Sequence, residues 1–86
     1  MIPKLLQVKP LDGYRLFLEY SNGEKRILDT LYWLEKPMYQ ELRNKTLFNT
    51  VKISGITITW VNGQDIAPDD LYEYSLPLVE TVTGRS

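Results

Sequence analysis

Tight turns built on glycine most constrain how this chain can fold. Asp12-Gly13 and Asn22-Gly23 punctuate its first part, and Ser54-Gly55 and Asn62-Gly63 punctuate its last part. Short runs of alternating apolar and polar residues lie between these turns. Asn-Gly is the strongest short hairpin signal, because both central residues of a type I′ turn need a positive φ angle. The pattern therefore predicts short antiparallel strands joined by tight turns.

Three strands are expected before residue 30. The first spans residues 4–9 and ends at Pro10, the second spans residues 14–20, and the third returns over residues 24–28. Side chains alternate between the two faces of a strand, so one face of the second strand should point into the core. The members of that face are Tyr14, Leu16, Leu18 and Tyr20. Together the three strands form an antiparallel meander.

The periodicity changes after the third strand. Apolar residues then recur every three to four positions, which indicates a helical segment that buries one side. Either Asp29 or Thr30 can cap its start, and Pro37 disfavours helix at the residue before it. We therefore expect two short helical pieces, residues 31–35 and 38–43. Their apolar stripe consists of Leu31, Leu34, Met38 and Leu42.

A second hairpin is expected in the last third of the chain. Residues 48–53 and 56–60 are rich in β-branched and aromatic side chains and flank the Ser54-Gly55 turn, so both favour strands. Alternation predicts that the later strand turns its threonines outward and an apolar face inward. The inward residues are Ile56, Ile58 and Trp60.

A short helix should follow the Asn62-Gly63 turn, over residues 68–74. Pro68 suits its first position, where a backbone N–H is not needed. Asp69 and Asp70 fall in the first turn, where the helix dipole favours anions. Asp65 is expected to fix the preceding loop through hydrogen bonds to the backbone.

The order of these elements predicts an α+β fold. Three strands, short helices, two strands and a short helix should form an antiparallel meander sheet with its helices on one face. The chain has 86 residues, 43% of them hydrophobic, which suits one core and one domain over residues 1–75. Residues 76–86 form a C-terminal tail, which adds an edge strand around residues 78–83 in this chain or in another, or else frays.

Composition excludes many classes of enzyme. The chain has no cysteine and no histidine, which removes disulfides, thiolate nucleophiles, Ser-His-Asp triads and typical zinc sites. The glycines are isolated in turns, so no phosphate-binding loop is present. We therefore expect no enzymatic activity, no cofactor and no metal.

One acidic group of residues could still bind a hard cation or share a proton, because close carboxylates suit Mg²⁺ or Ca²⁺. Its members are Asp65, Asp69, Asp70 and Glu73. Their spacing does not match an EF-hand loop. We interpret them as groups that stabilise the loop and the helix start.

The charge balance gives little support for bulk nucleic-acid or membrane binding. Ten basic and eleven acidic residues give a net charge of −1. No apolar stretch approaches the roughly 20 residues needed to cross a bilayer and no signal peptide is evident, so a cytoplasmic protein is expected. As an alternative, a sheet that presents basic and aromatic side chains could still bind single-stranded nucleic acid. Those residues would be Lys9, Arg15, Lys25, Arg26, Lys45 and Lys52, with Tyr14, Tyr20 and Phe48.

The later turns and helix resemble a known family. Residues 55–72 contain the pattern Trp-x-Asn-Gly-x-Asp-hydrophobic-x-Pro-Asp-x-Leu-Tyr, preceded by the turns at residues 12–14 and 22–24. Over residues 3–75 the chain is similar to the small bacterial family labelled domain of unknown function 2442. The residues that carry the pattern are Trp60, Asn62, Gly63, Asp65, Pro68, Asp69, Leu71 and Tyr72. We interpret this pattern as structural.

The resemblance implies the α+β meander fold and brings no established activity. Some members resemble this chain followed by a helix-turn-helix domain, and others stand beside a second small protein in a manner suggestive of toxin–antitoxin pairs. We therefore expect a non-enzymatic intracellular interaction domain, accessory or antitoxin-like, that acts through a protein partner. Solvent-facing tyrosines fit such a role; they are Tyr32, Tyr39, Tyr72 and Tyr74. The alternative is a nucleic-acid-binding or transcription-linked module, and homodimerisation stays open.

Overall fold

The computed structural model describes residues 2–78 of the chain. Within that range the chain forms seven strands, three short α-helices and one 3₁₀ helix. The strands are β1 Leu5–Leu11, β2 Arg15–Tyr20, β3 Lys25–Asp29, β4 Lys52–Ser54, β5 Thr57–Thr59, β6 Asp65–Ile66 and β7 Leu76–Pro77. The helices are α1 Leu31–Leu34, the 3₁₀ helix Pro37–Arg43, α2 Lys45–Phe48 and α3 Pro68–Glu73.

The strands form two antiparallel sheets. The first has the order β1-β2-β3-β7 and the second the order β4-β5-β6. This confirms the α+β class, with the strands divided between two sheets. β1 also contacts β4, which brings the two sheets together. The expectation that Pro10 ends β1 is wrong, because β1 lies at the edge of its sheet, where a proline is tolerated.

Both Asn-Gly hairpins use the same turn, and it is not the expected type I′. At the first, the Gly23 N–H donates to the Tyr20 carbonyl over 3.0 Å, and the Tyr20 N–H donates to the Glu24 carbonyl over 2.9 Å. Gly23 has a φ of 91°, while Asn22 is not in the positive-φ region. This is the pattern of a type I turn followed by a bulge glycine. The same pair of hydrogen bonds recurs between Trp60, Gly63 and Gln64.

Tyr14 lies in the β1–β2 turn, although it was expected to start a strand. Its φ of 59° is unusual for a bulky residue. Its carbonyl accepts from the Thr30 N–H over 3.1 Å and from the Thr30 hydroxyl over 2.6 Å. Its own hydroxyl donates to the Arg43 carbonyl, and its ring packs edge-on against Phe48 at 5.4 Å. These contacts hold the strained turn against the core.

The prediction of the apolar helical stripe is correct for two of its four residues. Leu34 and Leu42 are buried, whereas Leu31 and Met38 are exposed and Trp33 is buried in their place. The segment from Pro37 onward is a 3₁₀ helix with about three residues per turn, so a stripe of α-helical period cannot continue through it. Thr30 occupies the N-cap position of α1 without a side-chain capping hydrogen bond, and the carboxylate of the preceding Asp29 accepts from the Leu31 N–H over 3.0 Å.

Two expectations for the second hairpin are wrong. Phe48 ends α2, which Asn44 caps by accepting from the Leu47 N–H over 3.3 Å, so the strand begins only at Lys52. Ile56 points outward and is 73% exposed, because it lies in the turn with Gly55 before the alternation of β5 begins.

One hydrophobic core joins both sheets and the helices. Its buried members are Leu5, Leu16, Leu18, Tyr20, Leu28, Trp33, Leu34, Leu42, Phe48, Ile58, Trp60, Ile66 and Leu71. Trp60 and Leu71 thus belong to the same core. No helix among residues 2–78 is long and apolar enough to cross a bilayer.

The C-terminal residues that the structure describes belong to the first sheet. Leu76 lies opposite Ile27, and the Leu78 N–H donates to the Lys25 carbonyl over 2.7 Å. The tail thus begins as an edge strand at β7. Most of the expected strand at residues 78–83 lies outside the described residues.

Candidate functional site

A groove of about 450 Å³ lies between the N-terminal segment, the β4–β5 turn and α3. Its volume is within the range of protein pockets that accept a ligand, about 300 to 1,000 Å³. The apolar lining residues are Ile2, Pro3, Ile56 and Pro68. The charged lining residues are Lys4, Asp69 and Glu73. The groove therefore combines an apolar wall with a mainly acidic rim.

Ile56 is the most exposed large apolar residue among those described, at 73%. The turn at Gly55, which has a φ of 61°, places this isoleucine at the tip of the β4–β5 hairpin. Hairpin tips usually carry polar or small residues, because these form turns and interact with water. An aliphatic side chain in that position leaves apolar surface available for contact.

The N-terminal wall of the groove is held against the first hairpin. The Ser21 N–H donates to the Lys4 carbonyl over 2.7 Å, and the Lys4 N–H donates to the Ser21 hydroxyl over 3.1 Å. Ile2 packs against the core and is half-buried. Backbone hydrogen bonds and apolar packing thus fix this wall.

Asp69 and Glu73 form the acidic rim. They are exposed and four residues apart in α3, so both lie on the same side of the helix. Leu71, on the opposite side, is buried in the core. The one ion pair found within residues 2–78 joins Arg26 and Glu24, so neither rim carboxylate has a basic partner in that range.

A hydrogen-bonded cluster attaches the end of α3 to the first hairpin. The Tyr72 hydroxyl donates to the Glu24 carboxylate over 2.6 Å, and the Arg26 guanidinium lies 4.3 Å from the centre of the Tyr72 ring. Arg26 also donates to the Ser75 hydroxyl over 2.6 Å and to the Ser75 carbonyl over 2.8 Å. The hydrogen bond from Tyr72 lowers the pKa of Glu24, with further contributions from Asn22 and Arg26. This cluster was not predicted, and it fixes the helix that carries the rim.

Tyr20 packs edge-on against Tyr72, with ring centres 5.1 Å apart. The Tyr20 hydroxyl is buried and finds no hydrogen-bond partner among the described residues. Burial raises the pKa of Tyr20 to about 12, so the hydroxyl stays protonated at neutral pH. Its place in the core makes Tyr20 a packing residue.

The family-like pattern divides between core and surface. Trp60 is buried, and its indole N–H donates to the Phe48 carbonyl over 2.9 Å. Asn62 accepts from the Gln64 N–H over 3.1 Å and donates to the Glu41 carboxylate over 2.8 Å. Gly63 has a φ of 90°. These residues build the turn before α3, while Pro68 and Asp69 reach the groove.

Asp65 does not have the role expected of it. The backbone N–H of Gln64, which follows the Asn62-Gly63 turn, donates to the Asn62 side chain. Asp65 instead lies in β6 with its side chain exposed. Its backbone carbonyl accepts from the Tyr39 hydroxyl over 2.9 Å. Burial raises the pKa of Tyr39, and the nearby Asp65 and Asp70 carboxylates raise it further.

The acidic residues weighed as a cation site fall into two pairs. Asp65 and Asp70 lie on the side of Tyr39, whereas Asp69 and Glu73 line the groove. Within residues 2–78, no three acidic, histidine or cysteine side chains lie close enough to share a metal ion. The groove pair is therefore the part of this group that bears on binding.

Of the residues considered for nucleic-acid binding, Lys9, Arg15 and Lys25 share the outer face of the first sheet, but the rest do not join them in one surface. Tyr20 and Phe48 are buried in the core, and Arg26 is engaged with Glu24 and Ser75. A second cavity, of about 320 Å³, lies beside Tyr14 and is lined in part by Lys45.

Sequence reasoning singled out Asp69 and Glu73 only as groups that stabilise the fold, and of the apolar wall it named Pro68 alone, as the first residue of a helix. The signal for Ile56 was its position directly after a turn glycine, where strand alternation has not yet begun. Ile2 and Pro3 gave no signal, because only the folded chain brings them near α3.

One of three comparisons with known proteins gave a match. Searches of curated proteins and of solved structures gave no match. A family model described as "Protein of unknown function (DUF2442)" matches residues 5–77, which include the whole segment from β1 to β7. The chain therefore belongs to the DUF2442 family.

Proposed function

We propose that this chain is a non-enzymatic interaction domain that binds a protein partner through the groove beside α3. The observation that carries the proposal is the exposed Ile56 on the groove wall. Full burial of an isoleucine side chain contributes about 1.5 to 3 kcal/mol, which gives a partner a favourable contact. Exposed apolar surface with a polar rim is typical of protein interaction sites.

A protein partner fits this groove better than a small substrate does. Its apolar wall includes a hairpin tip that stands in solvent, so a small molecule would leave much of Ile56 uncovered. A partner surface covers the tip and the groove at once. The polar cluster at Glu24 and Arg26 is engaged in attaching α3, which favours a structural role for it.

The proposal places the domain in the cytoplasm of a bacterium. The resemblance in sequence supports an accessory or antitoxin-like role there. A second copy of the chain is one candidate partner, and a different small protein is another.

The nucleic-acid alternative has weaker support. On the outer face of the first sheet Lys9 lies opposite Phe17, and the basic residues Arg15 and Lys25 lie on the same face. Their neighbours include the carboxylates Glu19 and Asp29, which weaken attraction to phosphates. We expect no saturable binding of duplex or single-stranded DNA in fluorescence anisotropy at about 150 mM salt.

The experiment compares Ile56→Asp with a matched control, Val61→Asp. Val61 is also an aliphatic residue on a hairpin turn and is 67% exposed, but it does not line the groove. Each tagged protein is used to capture partners from native cells, and the captured protein is then purified and titrated by calorimetry. We expect the wild type and Val61→Asp to bind it equally and Ile56→Asp to lose binding. Equal binding by all three folded proteins contradicts the proposal.

A further inference from the structure

We infer that the groove recognises a partner segment in which a large apolar residue stands next to lysine or arginine. This inference rests on the proposed function and adds the chemistry of the partner. It follows from the way in which the two parts of the groove are arranged.

The apolar part selects a hydrophobic side chain. Ile56 projects from the hairpin tip and Pro68 starts α3, while the N-terminal residues Ile2 and Pro3 close the other side. None of these four side chains carries a polar group, so a charged residue placed among them would lose hydration without a partner. An aliphatic or aromatic anchor gains contact instead.

The acidic part of the groove selects a lysine or arginine next to the apolar residue of the partner. Asp69 and Glu73 lie on the groove side of α3, and no base occurs in that helix. Among the lining residues that the structure describes, Lys4 is the one basic residue, so this part of the chain places two carboxylates and one ammonium at the groove. A lysine or arginine beside the apolar anchor meets these two carboxylates, neither of which forms an ion pair within residues 2–78. An acidic residue in the same place is repelled.

The rim should contribute more to selection than to affinity. Exposed ion pairs are weak and screened by salt, so replacing one carboxylate is expected to weaken binding by about two- to fivefold. Charges at an interface rim mainly guide association and discriminate among partners. The apolar residue of the partner therefore supplies most of the binding affinity. The acidic rim selects which residues flank it.

The test pans a random heptapeptide phage library on the full chain. We expect enrichment of peptides with an aliphatic or aromatic residue adjacent to lysine or arginine. A synthetic fluorescent copy of the enriched peptide is then measured by anisotropy against four proteins: wild type, Ile56→Asp, Asp69→Asn with Glu73→Gln, and the control Val61→Asp.

The results separate this inference from the proposed function. Loss of binding in Ile56→Asp, with several-fold weakening and reduced salt dependence in the double variant, supports both. Peptides that need Ile56 but show no preference for a base overturn the inference and leave the proposed function standing. No enrichment, or enrichment insensitive to Ile56→Asp, overturns both.

Two further arms address other occupants. If sedimentation shows a dimer that Ile56→Asp dissociates, the occupant is a second copy, and the inference is wrong. If a variant ending at Leu78 binds the peptide at least tenfold more tightly than the full chain, later residues of the same chain compete for the groove, which also overturns it.

Discussion

Leu71 offers the most direct test of how α3 is held in place. Its side chain is 1% exposed and lies in the core with Trp60. Truncation in Leu71→Ala removes the apolar carbons beyond Cβ, each worth about 0.8 kcal/mol, and leaves a cavity that adds to this cost. We expect a loss of about 2.5 to 4 kcal/mol. A chain of 86 residues has a total stability of about 4 to 13 kcal/mol, so this is a large fraction.

The assay is urea denaturation followed by tryptophan fluorescence, with Leu76→Ala as the control. Leu76 is a leucine of β7 that is 70% exposed, so its truncation should change stability by less than about 0.5 kcal/mol. Thermal unfolding should show a drop of about 10 to 30 °C for Leu71→Ala. If the two variants unfold at the same urea concentration, the packing of α3 against the core is wrong.

Three smaller predictions concern the first hairpin and the last turn. Tyr20→Phe removes a buried hydroxyl that has no partner among the described residues, so we expect an unchanged or higher unfolding midpoint, and a clear decrease would mean that the hydroxyl is bound. Because the pKa of Glu24 is lower in the folded protein than its usual 4.5, its stabilising contribution is complete above that pH and is lost as the pH falls through the folded value. Acidification should therefore lower the unfolding midpoint of the wild type more than that of Glu24→Gln, and parallel curves would contradict the cause assigned to the shift. Gly63→Ala should cost about 1 kcal/mol or more because Gly63 has a φ of 90°, and Gly63→Asn should cost less; equal stability of all three proteins would refute this.

The sequence predicted the parts of the fold that depend on local pattern. Alternation in β2 identified Leu16, Leu18 and Tyr20 as core residues, because strand faces can be assigned from a period of two. The short α3 was predicted from Pro68 and the acidic residues after it. Such signals need no knowledge of distant residues.

The remaining features depend on contacts that local pattern does not encode. Residues 48–53 have the composition of a strand, yet the Asn44 cap and core packing place Phe48 in α2. Tertiary packing overrides weak strand propensity in such short segments. The groove was not predictable for the same reason, because it joins Ile2 and Ile56, which are distant in the sequence.

The central claim is that a protein partner binds the groove beside α3. The most direct measurement is an NMR titration of the ¹⁵N-labelled full chain with the purified partner captured from native cells. We predict that the largest shifts of amide resonances occur at Ile56, Asp69 and Glu73, with Lys9 and Phe17 on the outer sheet face unaffected. Shifts confined to the outer sheet face, or no shifts at saturating partner, would contradict the claim.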